Sequence, residues 1–77
     1  ELADVKVFPN PARSRINIES DTRIDLIRVL SMDGKPVLER EVGQKDYHLD
    51  IGQLPTGVYL LELRSEGRSS TSKILIR

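Results

Sequence analysis

The chain reads as all-β, with an immunoglobulin-like, seven-stranded antiparallel β-sandwich as the predicted architecture, and three features of the sequence lead there. Apolar residues recur with a period of two in short runs, as they do where one face of a strand is buried and the other is wet. Turn residues punctuate those runs at short intervals. No window of about a dozen residues keeps a helical stripe without a Gly, Pro or polar break.

The elements follow in order. Val5, Val7 and Phe8 make a first short strand, ended by Pro9 and Pro11, because proline donates no ladder hydrogen bond and restricts the residue before it. Ile16 and Ile18 alternate with Asn17 and Glu19 in a second. The third covers 24–31, and its apolar set changes face between Leu26 and Ile27, which reads as a bulge or a bend between sheets. Met32, Asp33, Gly34 and Lys35 give the strongest hairpin signal, since Asp-Gly tolerates the positive φ of a tight turn. The fourth strand runs over 36–42, with Pro36 at its start, and 43–46 turns the chain.

The fifth covers 47–51, with Leu49 and Ile51 inward and His48 and Asp50 outward. After a turn at 55–57, Tyr59, Leu61 and Leu63 share one face of the sixth strand. A Ser65-Glu66-Gly67 turn leads to the seventh, where Ile74 and Ile76 alternate with Lys73, Leu75 and Arg77. The shared phase predicts a core of Val7, Ile16, Ile18, Ile27, Val29, Leu49, Tyr59, Leu61 and Ile74. A small open barrel is the second architecture. The Ser-rich stretch 69–72 reads as the polar start of a strand rather than a glycosylated segment.

Seventy-seven residues make one domain, 1–77, of a size that buries only about 60% of its unfolded surface. Leu, Ile, Val and Phe supply 24 of the 77 residues, which is enough for one core and above the range of disordered chains. Twelve basic and twelve acidic residues cancel and are interspersed, so the uncompensated cationic stripe that nucleic acid requires is missing. Cysteine is absent, which excludes disulfides, thiolate zinc sites and a Cys nucleophile. A chain opening on Glu1, Leu2, Ala3 and Asp4 reads as a piece excised from a longer secreted protein.

Few residues point to catalysis. His48 is the single histidine, and a triad needs Ser31, Ser69 or Ser70 and a carboxylate such as Asp50 beside it. His48 and Asp50 at spacing two simply share the wet face of a strand, and no nucleophile-elbow pattern is present. Glu39 and Glu41 also share a face, but a glycosidase pair flanks a cleft on a larger scaffold, and Arg40 and Lys35 offer these carboxylates opposite charge. One His and scattered carboxylates give no metal-ligand spacing. Tyr59, among core-phased leucines, reads as a buried anchor with a hydrogen-bonded hydroxyl. The expectation is no enzyme, no cofactor, no metal, no nucleic acid and no small-molecule substrate.

Leu54-Pro55-Thr56-Gly57 is similar to the sortase tag of Gram-positive surface proteins, yet it lacks the residue between Pro and Thr. The stretch after it is too short and too charged to span a bilayer, which takes about 20 apolar residues. A different resemblance covers essentially the whole chain. VFPNPAR, SMDGKPV, LPTGVYLLEL and SSTSKILIR, in that order, resemble the C-terminal sorting domain of type IX secretion cargo. Pro9, Asn10 and Pro11 match the opening motif of that family, Gly34 its central turn, Gly57 and Tyr59 its Gly-x-Tyr, and Lys73 its terminal lysine.

The resemblance implies a non-catalytic export signal in a Gram-negative bacterium. Its parent passenger crosses the periplasm, and the type IX translocon and shuttle proteins read the domain. A sortase-like cysteine protease then removes it near or before Glu1, leaving the passenger at the cell surface or outside. Structural roles account for much of the motif set: the prolines stop an open edge, Gly34 and Gly57 shape turns, and Tyr59 fills the core. Lys73 and Arg77 are the candidates for direct receptor contact, since exposed terminal charges add little to stability. Open strand edges predict pairing between copies of the isolated domain. The alternative reading is an immunoglobulin-like accessory module of an extracellular enzyme, binding glycan or acting as a spacer.

Overall fold

The structure is a computed structural model that describes residues 5–77. The chain forms β1 (Lys6–Phe8), β2 (Arg15–Leu30), β3 (Pro36–Asp50), β4 (Gly57–Ser65) and β5 (Arg68–Ile76), with no helix among the described residues. All strand pairs are antiparallel, as expected from the sequence.

β2 is the spine. β3 follows one side of it from Arg15↔Asp50 to Leu30↔Pro36. On the other side, β1 covers the first half of β2 through Val7↔Ile18, and β4 covers the second half through Val29↔Leu61. β5 continues the sheet beyond β4. The sheet curls so that Ile16, Ile18 and Leu49 on one half join Ile27, Val29, Leu61 and Ile74 on the other in a single core.

The strand number departs from the expected seven: the described residues form five. The expected second and third strands are the two halves of β2, and the fourth and fifth are the two halves of β3. The polar residues at 20–23 and 43–46 do bend the chain, but the two bends face each other, and the ladder resumes after them. β2 advances from Glu19 to Ile24 while β3 moves only from Asp46 to Gln44, so the surplus bulges out of β2 and both strands turn the corner together. Gly43, at φ +91, supplies the left-handed residue on β3, and a Cβ there would press on the Arg23 guanidinium at 3.3 Å. The face change expected between Leu26 and Ile27 corresponds to a register shift immediately before it, between Ile24 and Leu26.

A polar tie holds the corner to β4. Ser65, only 1% exposed, donates its hydroxyl to the Arg23 carbonyl and lies 3.0 Å from the Thr22 hydroxyl. Asp25 accepts the Glu66 amide at 2.9 Å, fixing the β4–β5 turn to the same corner. In that turn Glu66 and Gly67 both have positive φ, as tight hairpins prefer.

Eight of the nine expected core residues are buried, and Val7 is half-buried because β1 is a short strand at the rim. Ile51, Leu63 and Ile76, placed inward by alternation, are buried as well. Ala12 and Ile24 are buried without having been anticipated.

Candidate recognition site

The two ends of the motif set, more than sixty positions apart, meet on one edge of the sheet. Among the described residues no strand lies beside the outer edge of β5, and over its last residues the segment 9–12 takes that place. The Asn10 side chain acts there as a short piece of strand: Oδ1 accepts the Leu75 amide at 3.1 Å, and Nδ2 donates to the Lys73 carbonyl at 3.3 Å. Main chain then takes over. The Ala12 amide donates to the Leu75 carbonyl, and the Arg77 amide donates to the Ala12 carbonyl, each at 2.8 Å. Ala12 lies parallel to Ile76 in an isolated bridge and is 1% exposed.

This geometry explains the composition of the opening motif. Pro9 follows the last residue of β1 and stops it. Asn10 supplies one donor and one acceptor where β5 presents a carbonyl and an amide. Ala12, beside the strand, is buried in the core. The sequence pointed to Pro9, Asn10 and Pro11 but not to Ala12, whose only signal is its small size just after Pro11.

An Asn10→Ala substitution therefore releases two hydrogen bonds at the rim, at a cost of about 1 kcal/mol. Amide exchange should accelerate about fivefold at Leu75, and less at Arg77, whose amide is held by the Ala12 main chain. Unchanged protection of Leu75 in the variant would remove Asn10 from this role.

Gly57 and Tyr59 lie one strand inward from the clasp, paired with Ile76 and Ile74. The Tyr59 hydroxyl donates to the Pro55 carbonyl at 2.6 Å, so the side chain reaches back along its own strand. Its path passes over Gly57, where a Cβ would lie 3.7 Å from the ring. The Gly-x-Tyr spacing thus puts an aromatic ring and a residue without a side chain on one face, two positions apart. Gly57 is the first residue of β4 and has no positive φ, unlike the turn role expected for it.

Gly34 does take the turn role, at φ +89, and its amide donates to the Ser31 carbonyl at 2.9 Å. The adjacent Asp33 carboxyl is held below its ordinary range, chiefly by the Ser31 hydroxyl. A depressed carboxyl supports the hairpin above its unfolded pKa, and this support is lost as pH falls through the folded value. Leu30↔Leu60 and Gly57↔Ile76 place the 31–35 hairpin, the start of β4 and the end of β5 at the same end of the sheet.

Lys73 and Arg77 are exposed. Among the described residues neither side chain has an ion-pair partner. Two acids of the sheet, Glu39 and Glu62, are paired with other cations. The Arg28 guanidinium lies 3.1 Å from both Glu39 and Glu62, and Arg64 lies 3.9 Å from Glu62. Glu39 thus takes Arg28 as its partner, not Arg40 or Lys35. His48 lines a shallow depression with Ser14, Arg15 and Asp50, and Ser31, Ser69 and Ser70 are not among its walls. Asp50 accepts the Gly52 amide at 3.0 Å and closes a local turn. The 69–72 stretch is part of β5, the polar strand start expected of it.

No curated protein matches the chain. Residues 6–77 match the family described as the secretion system C-terminal sorting domain. The match includes all five strands, the clasp and the Gly-x-Tyr strand. The chain therefore belongs to that family, the C-terminal sorting domains of type IX secretion.

Proposed function

We propose that the folded domain is the address by which its passenger crosses the outer membrane, read by the type IX translocon and its shuttle proteins after transit through the periplasm of a Gram-negative bacterium. A sortase-like cysteine protease then removes the domain, and the passenger stays at the cell surface or outside. The cut falls upstream of the fold, near or before Glu1, outside the described residues.

The observation that carries this reading is the convergence of the motif residues. Asn10, between Pro9 and Pro11, braces the strand that bears Lys73 and leads into Arg77, and Gly57 and Tyr59 lie on the strand next to it. A signal scattered along the sequence becomes one surface only after folding. The domain has no catalytic role in this scheme.

Fusion of the domain to a periplasmic reporter is the test. The reporter should reach the surface in a host with the secretion system and stay in the periplasm of one without it. Equal partition in the two hosts would favour a spacer or glycan-binding module instead.

A further inference from the structure

The first half of β4 is apolar on both faces, although one face already fills the core. Tyr59, Leu61 and Leu63 point inward, and Val58 and Leu60 point outward. Strands with one wet face normally alternate apolar with polar residues. Here the register sets Leu30 beside Leu60 and Leu75 beside Val58, and directly opposed residues share a face. Four apolar side chains therefore form one patch on the outer face, with Val58 42% exposed and the other three half-buried. Lys73 is opposite Leu60 on the same face, and Arg77 follows two positions after Leu75.

We infer that this outer face, Leu30, Val58, Leu60 and Leu75 rimmed by Lys73 and Arg77, docks on a protein of the secretion machinery that presents an apolar patch edged by carboxylates. The inference rests on the sorting reading and specifies its surface. Charge selects the occupant. The rim cations have no ion-pair partner among the described residues, whereas Glu62, the nearest acid along β4, is held by Arg28. A symmetric pair of copies would bring the same cationic rim against itself, because a two-fold interface uses one patch twice. An anionic membrane calls for a cluster of about four to eight basic residues, and this rim has Lys73 and Arg77. A protein partner of opposite sign gains from both the apolar centre and the rim.

The experiment compares reporter fusions carrying the native domain, Val58→Thr, and Val58→Thr with Leu60→Thr. Threonine keeps the β-branched shape of valine and favours strands, so these domains should unfold cooperatively. Surface display of the double variant should fall at least about tenfold, with the cargo held in the periplasm. If the double variant does not fold, the Val58→Thr fusion is read in the same way. A native fusion that never reaches the surface sinks the sorting reading itself. Native display with equal display of the folded variant overturns the docking face alone. Self-association of the isolated domain, or pelleting with anionic vesicles, that is lost in the variant while display persists assigns the face to a second copy or to lipid, and also overturns the proposal.

Discussion

Tyr59→Ala should bring the domain close to unfolding under conditions in which the native chain is fully folded. The ring is 8% exposed, opposes Ile74 across the β4–β5 ladder, and is part of the single core. Truncating a core aromatic costs roughly 3 to 5 kcal/mol. A domain this small has a total stability near the low end of about 5 to 15 kcal/mol. The substitution also breaks the bond from the hydroxyl to the Pro55 carbonyl and uncovers the turn before β4. Tyr59→Phe separates the two contributions, since it keeps the ring and loses about 1 kcal/mol for the hydrogen bond. Urea unfolding of the three proteins is the measurement. A midpoint for Tyr59→Ala equal to that of the native domain would show that the ring adds nothing to the core.

The core was legible because alternation is local. Ile16 and Ile18, Ile27 and Val29, and Tyr59, Leu61 and Leu63 each state their own phase within a few residues. Strand number was not, because a break in alternation has two physical outcomes. Polar residues at 20–23 end a strand if nothing opposes them, and bend it if a partner strand breaks at the same level. Only the pairing of Ile24 with Gln44 decides between these, and that pairing is non-local. Ser65 has the same character: a buried hydroxyl at a strand end makes sense only beside Thr22 and Arg23.

The candidate site divides along the same line. Pro9, Pro11 and Gly34 declare their backbone roles in the sequence, since a fixed φ or a left-handed turn is a property of the residue itself. Asn10 does not, because its role is to imitate a strand for residues at the other end of the chain. Gly57 was legible as a required glycine for the wrong reason. Its local signal suggested a turn, and its place is beneath the reach of Tyr59.

Replacing Lys73 and Arg77 together with glutamine should separate export from folding more sharply than any other change. The clasp uses the Lys73 carbonyl and the Arg77 amide, both main chain, so the double substitution leaves every one of its hydrogen bonds available. Ile74 and Ile76 remain in the core. Exposed charges typically add less than about 1 kcal/mol to stability, and these two have no ion-pair partner to lose among the described residues. The melting curve should therefore stay within a few degrees of the native one, by the scaling of about 4 to 8 °C per kcal/mol for a small domain. Encounter with an acidic partner is another matter, because charge steering changes association rates by about tenfold or more. The cargo should accumulate in the periplasm with the domain still attached, since in the proposed scheme the processing protease meets cargo only after translocation. Deleting 73–77 is a poorer test, as it removes two core isoleucines along with the charges. Surface-to-periplasm partition and thermal unfolding, measured on the same double variant, decide the matter. Normal display with normal processing would deny the two cations a receptor contact and leave β5 a structural strand only.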